Sequence, residues 1–206
     1  MSKYTELAAR EVIDQTIAAL EKKNFHGTFI ETKQAALEKI KELIPQNASV
    51  QNGASRSLEE IGFIEYLKSA NHGWNNLHAQ ILAETDQIKQ GLLRKQATLS
   101  DYYLGSVHAL THTGELVIAS NTGSQLPNIV YSSQNLIFVI GAQKLVTDIS
   151  DAFKRIQEQV IPLEDVRMKG VYGVGTTWNK TVILHGENPM MGRNIHVLIV
   201  NELLGF

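Results

Sequence analysis

The chain of 206 residues has no cysteine. Within it, disulfides, Cys-ligated zinc, iron–sulfur clusters and thiol nucleophiles are all excluded. Small secreted proteins usually rely on disulfides, so this absence favours a reducing compartment. Long apolar runs are also missing. The longest, Leu136–Ile140 and Val197–Val200, fall far short of the roughly 20 residues that span a bilayer. The opening stretch, MSKYTELAAREVIDQTIAALEKK, is charged and amphipathic and lacks the apolar centre of a signal peptide. These features predict a soluble, cytoplasmic protein with no membrane partner. The formal net charge is only -2, and no run of Lys and Arg is interleaved with aromatics. That balance predicts no nucleic-acid partner. Internal repeats, low-complexity segments and linkers are absent as well.

What is present is a sizeable core. Hydrophobic residues make up 43% of the chain, near the globular average, in a length that suits one domain or one domain with a small appendage. Ala9, Ile13, Ile17 and Leu20 form one face of an N-terminal helix. It reads as an extension over residues 1–23, used for packing or for forming a homodimer, ahead of an α/β domain over 24–206. Phe25, Phe29 and Ile30 suggest a short strand. Thr32 caps a second helix with face Leu37, Ile40 and Ile44, ended by Pro45. A short strand, ASVQNG, precedes SRSLEEIGFIEYLKS, where Ser57 and Glu60 fit a capping box for a third helix. NHGWNNLH (71–78) reads as a loop, and Ile81, Ile88 and Leu92 as another helix closing near Gln96. Beyond Asp101 the segments DYYLGSVHAL, ELVIAS, NLIFVIG, TVILHG and IHVLIV are short, β-rich and mostly apolar, as in a sheet covered by helices. A helix over Asp148–Val160 lies between two of them. The alternation predicts an α/β fold.

Two polar loops follow two of these strands. Asn52, Gly53, Ala54 and Ser55 lie between a strand and a capped helix, where open α/β sheets bind ligands and where a helix start suits a phosphate or carboxylate. Ser120, Asn121, Thr122, Gly123 and Ser124 follow the apolar run Leu116–Ala119, and Gly123 permits close backbone approach. Both are also good ordinary turns. If their strands are neighbours in one sheet, the loops form one site for an anion. Glu115, after Thr113 and Gly114, is either solvated at a strand entrance or placed as a base. Arg193, before the last strand, either clamps an anion or lies exposed. Glu164, Asp165 and Arg167 suggest a local ion pair. His108 and His112 stand about 13 Å apart in an extended strand, too far to share one ion, so no metal is expected. A GxSxG elbow and a P-loop Lys are both missing, and GVYGVG (170–175) lacks the glycine spacing of a dinucleotide fingerprint.

The ordered set NGASRSLEEIGF, SVHALTHTGELVIASNTGSQLP, LIFVIGAQKLV and GRNIHVLIVNE resembles the lactate-utilization LUD-domain family, as a single-domain, cysteine-free member. It runs from about Val50 to the last residues. The resemblance implies a three-layer α/β/α fold with a mainly parallel sheet, like ribose-5-phosphate isomerase, glucosamine-6-phosphate deaminase, CoA transferases and methenyltetrahydrofolate synthetase. It implies loops at strand ends that bind phosphorylated or CoA-like ligands. It also implies a role in oxidising lactate alongside partner subunits that carry iron–sulfur clusters, which this chain cannot itself hold. Where many members have a small hydroxyl residue after Thr-Gly, this chain has Glu115. Three functions follow. One is a protein of organic-acid (lactate) utilization that binds a small anionic metabolite or a nucleotide-like cofactor through Asn52, Gly53, Ser55, Thr113, Gly114, Ser120–Ser124 and Arg193. The second is an isomerase, deaminase or CoA-transferase type of enzyme with Glu115 as base or nucleophile. The third is a non-catalytic assembly subunit.

Overall fold

In the computed structural model, which describes residues 3–206, the first helix is α1 (Arg10–Glu21). Residues 1 and 2 of the expected extension lie outside the described residues. Ile13 and Leu20 are fully buried in a core shared with Leu136, Phe138 and Val197. Strand β1 (His26–Ile30) leads to α2 (Lys33–Leu43). Thr32 caps α2 by accepting from the Ala35 amide at 3.2 Å. After β2 (Ser49–Asn52) the predicted single helix is two, α3 (Arg56–Glu60) and α4 (Phe63–Lys68). Gly62 separates them at φ 83°, a left-handed conformation that glycine adopts at low cost. The capping-box expectation also shifts. Ser55 is the cap, accepting from the Leu58 amide at 3.4 Å, and Ser57 lies inside α3.

The stretch read as a loop holds the two-residue strand β3 (Asn75–Asn76), and Leu77 already opens α5 (Leu77–Ala83). Asp86 then caps a separate helix, α6 (Gln87–Gln96), accepting from the amides of Ile88 and Lys89. No residue of α6 is buried, so the apolar spacing that predicted one helix here does not mark a core face. Strands β4 (Tyr102–Gly105), β5 (Ala109–Thr111), β6 (Leu116–Ser120), β7 (Asn135–Gly141) and β8 (Leu145–Val146) follow. Helix α7 (Ile149–Arg155) continues through a π-turn into α8 (Ile161–Tyr172). Gly173 closes α8, so GVYGVG is a helix end. Strands β9 (Lys180–Leu184) and β10 (Asn194–Val200) complete the chain.

The architecture is a three-layer α/β/α arrangement around a parallel six-stranded sheet of order β1-β10-β7-β4-β2-β3. One face carries α2, α3 and α4, through Leu37, Ile40, Leu58 and Phe63 on Val50, Leu104 and Val139. The other carries α1 and a second sheet, of order β8-β5-β6-β9. The single sheet implied by the run of apolar segments is therefore two. This explains the apolar run of β6. Leu116 and Ile118 face the core beneath the main sheet. Val117 and Ala119 alternate to the other side and pack with Ala152, Ile156 and Val160. Among the described residues no helix is long and apolar enough to cross a membrane.

Candidate functional site

A cleft of about 630 Å³ opens at the carboxyl ends of β2, β4 and β6. Asn52, Gly53 and Ser55 line it from the β2–α3 turn, and Ser120, Asn121, Thr122 and Ser124 line it from the loop after β6. The two loops belong to different sheets, so they are not on neighbouring strands. They meet because the sheets pack face to face. Gly105 and Ser106, at the end of β4, lie between them, and α5, α6 and α8 form the outer walls.

Gly53 is required by crowding: a Cβ there would sit 2.4 Å from the Tyr103 hydroxyl oxygen. Burial pushes the Tyr103 hydroxyl pKa up, keeping it neutral. Asn52 is 4% exposed, and its Nδ2 donates to the Gly53 carbonyl at 3.2 Å. That bond fixes the amide and leaves Oδ1 buried without a partner among the described residues, as is Oε1 of Gln51. A buried acceptor left unpaired costs about 1–3 kcal/mol. Both residues line the cleft, so a ligand bearing an N–H or O–H would recover that cost.

The loop after β6 is a built turn. Ser120 Oγ accepts from the Gly123 amide at 2.9 Å, and Asn121 Oδ1 accepts from Asn179 Nδ2 at 2.8 Å and from the Thr177 hydroxyl at 3.2 Å. Gly123 is at φ 86° and does not line the cleft; it serves the turn rather than backbone approach to a ligand.

Among the described residues, the one buried charged side chain that lines the cleft is one the sequence reading passed over. Lys144 lies in the single turn after β7, is 4% exposed and lines the cleft. Its Nζ donates to Ser57 Oγ at 3.1 Å and to Ser106 Oγ at 3.2 Å. Those hydroxyls are 3.4 Å apart, and Ser57 also donates to the Leu204 carbonyl at 3.3 Å. No carboxylate pairs with Lys144 within 4 Å among the described residues. Burial, then the charge of Arg155, brings its pKa down to about 7, against a smaller upward pull from Glu60. Arg155 is itself fully buried. Its Nη1 donates to the His108 carbonyl, while Nε and Nη2 have no partner among the described residues. Burial, with Lys144 and Arg155 adding to it, drives the His108 pKa down to about 3. The neutral ring accepts the Ala119 amide at Nδ1, 3.0 Å away. Four basic side chains (Arg56, Arg94, Lys144, Arg167) and two carboxylates (Glu59, Glu164) line the cleft. Arg56 pairs with Glu59 at 2.5 Å and Arg167 with Glu164 at 2.6 Å, the latter as predicted.

The other sequence candidates lie elsewhere. Thr113, Gly114 and Glu115 form the hairpin before β6, at the end of that strand opposite the cleft. Gly114, at φ 90°, presses on α1, where a Cβ would meet the Leu20 backbone nitrogen at 3.2 Å. Glu115 is neither solvated nor poised as a base. Lys23 pairs with it at 2.9 Å, and the hydroxyls of Thr111 and Thr113 donate to it. Burial pushes its pKa up, but these partners outweigh it and bring it down to about 2. Arg193 is neither exposed nor in the cleft. It donates to the carbonyls of Asn128, Ile129, Val130 and Ser133 and pairs with Glu187 at 2.7 Å. Its guanidinium ties down the turn over Asn128–Ser132, whose carbonyls have no helical partners further along. Among the described residues, no group of three or more His, Asp and Glu could hold a metal ion.

The sequence carried one signal for Lys144. In NLIFVIGAQKLV it is the one charge in a mostly apolar stretch, directly after a strand. Ser57 and Ser106 carried none, since both look like turn or cap residues.

The chain is similar to a DUF162 family protein from Deinococcus radiodurans, with 12% identity, a TM-score of 0.58, and coverage of 95% of this chain and 100% of that one. It is also matched, at a TM-score of 0.35 and 16% identity over 76% of each chain, with ribose 5 phosphate isomerase A from Neisseria gonorrhoeae. The first likeness concerns the fold alone, and the second is too distant to carry an argument. No curated protein matches. The sequence profile of the LUD domain matches residues 13–200, which include most of α1 and every strand that shapes the cleft, and the chain belongs to the LUD-domain family.

Proposed function

We propose that this LUD-domain protein binds a small anionic metabolite in the cleft between its two sheets, with Lys144 at the base of the site. One observation carries the reading: a buried ammonium on the cleft floor, held only by two hydroxyls, beside a buried guanidinium with unused donors. Buried charge is costly unless it is paired, and an anion entering the cleft would offset that cost. The orphaned Asn52 Oδ1 favours an anion that also carries a hydroxyl or amino group. A hydroxy acid such as lactate has both features, and so does a nucleotide-like cofactor. Family membership supports a place in organic-acid (lactate) utilization, with iron–sulfur subunits as partners. The geometry gives no support to Glu115 as a base, because it lies outside the cleft and is held as an anion by the hydroxyls of Thr111 and Thr113 and by Lys23.

The test is a thermal-shift and calorimetric series with lactate, glycolate, sugar phosphates, nucleotides and acyl-CoA on wild type and on Lys144→Met. At 100 times its dissociation constant, a true ligand adds about 2.7 kcal/mol of stability. The reading expects saturable binding that Lys144→Met weakens by at least tenfold. Equal affinity in both proteins would move the site away from Lys144.

A further inference from the structure

We propose that Lys144 is a nucleophile that forms an imine with the carbonyl carbon of a small oxo acid bound in this cleft. The inference rests on the anion-site reading and adds a covalent step to it. The geometry of Nζ is its first support. A buried lysine with a purely structural role ends on a carboxylate or on backbone carbonyls, which favour its charged form. Lys144 ends on two hydroxyls, 3.1 and 3.2 Å away. A hydroxyl both donates and accepts, so it can serve an ammonium or a neutral amine. The neutral amine is the nucleophilic form, and both burial and the neighbouring Arg155 favour it. Facing this amine are Arg155 from α7, Glu60 from α3, and the His108 ring, which burial keeps neutral.

The second support is access. Ser106 is partly exposed and lines the cleft, so an entering carbonyl meets its hydroxyl and Nζ together. Gly205 closes the far side, where a Cβ would stand 3.1 Å from Nζ and 2.8 Å from Ser57 Oγ. The third support is charge. In a 2-oxo acid the carboxylate is bonded to the carbonyl carbon, which places the negative charge near the buried Arg155 guanidinium while Nζ attacks.

The step balances without a redox partner. The Nζ lone pair adds to the carbonyl carbon, and the carbonyl oxygen takes the Ser106 hydroxyl proton. One Nζ proton passes through Ser57 back to Ser106, leaving a carbinolamine. A second proton transfer releases its hydroxyl as water, and a C=N bond replaces the C=O bond.

The test uses glyoxylate with cyanoborohydride, followed by peptide mapping of the full chain. Wild type should gain one reduced adduct, on Lys144, at pH 7.5, far faster than any surface lysine. Glycolate, which has the same size and charge but no carbonyl, should protect it. Ser106→Ala should slow labelling by about 10²-fold at saturating glyoxylate. If glycolate stabilises the protein but Lys144 is labelled no faster than exposed lysines, the imine is refuted and the anion site stands. If glycolate neither stabilises nor protects and Lys144 stays unmodified, both readings fall.

Discussion

Replacing Lys144 by Met should make the protein more stable at neutral pH and less so in alkali. An ordinary lysine titrates near 10.5, and Lys144 is brought to about 7. Between those values the unfolded chain holds a proton that the folded chain releases, so wild-type stability rises with pH across that window. Below about pH 7 the folded state carries the full cost of the buried charge. A gap of about three and a half pH units, at about 1.4 kcal/mol for each, makes that cost about 5 kcal/mol. Lys144→Met removes this cost. It also removes two hydrogen bonds to Ser57 and Ser106, each contributing about 1 kcal/mol. Methionine is of similar length and flexible, so repacking adds little. The variant should therefore exceed wild type by about 2–3 kcal/mol at pH 6. The advantage should shrink by about 1.4 kcal/mol per pH unit above pH 7 and change sign near pH 9. Urea unfolding of both proteins at pH 6, 7, 8 and 9 measures this, and the difference between them cancels groups common to both. A difference that stays constant across the series would show that Lys144 does not lose its proton on folding, and the argument from its burial would fail.

Three further substitutions test the assignments. Glu115→Gln should cost about 2–3 kcal/mol at pH 7 by leaving Lys23 without its carboxylate. Because the Glu115 pKa is depressed from 4.5 to about 2, that loss should vanish as pH falls through this window, with ligand affinity in the cleft unchanged throughout. Arg193→Ala should cost about 3–5 kcal/mol, since it strands four carbonyls and Glu187, again with no effect on the cleft; a tenfold loss of ligand affinity in a folded variant would restore Arg193 to the site. Gly53→Ala should cost about 1–3 kcal/mol through the clash with the Tyr103 hydroxyl, and Tyr103→Phe in the same chain should recover part of it by urea unfolding.

The fold was legible where burial follows a period. Strands β7 and β10 are central and apolar on both faces, and their run lengths alone mark them. The cap Thr32 came from local chemistry that the structure retains, whereas the sequence assigned the next cap to Ser57 and the structure has it at Ser55, two residues earlier. The error at α6 has a different source. Ile88 is 79% exposed, so its spacing from Ile81 carried no packing information. Partition of the strands into two sheets was illegible for a third reason. A strand buried on both faces looks the same whether helices or another sheet cover it, so β6 gave no sign of which partners it had.

The site divides along the same line. The loop residues Asn52, Gly53, Ser55, Ser120, Asn121, Thr122 and Ser124 line the cleft, but ligand sites and turns draw on the same small polar residues, and that overlap also admitted Gly123, which belongs to the turn. Arg193 and Glu115 were read from their positions at strand entrances, where side chains usually meet solvent. Here the end of α1 with Lys23 covers one entrance and the Asn128–Ser132 turn the other, so a charge expected to meet a ligand meets protein instead. Lys144 is the converse case. Its neighbours in sequence are mostly apolar, and its partners come from α3 and from the end of β4, 87 and 38 residues away. A titratable group whose environment is assembled entirely from distant segments leaves no local pattern. A single charge in a mostly apolar stretch is then its one visible mark. In this chain that mark coincides with the carboxyl end of a central strand, where the fold leaves its cleft, and the coincidence makes Lys144 the residue on which the functional argument turns.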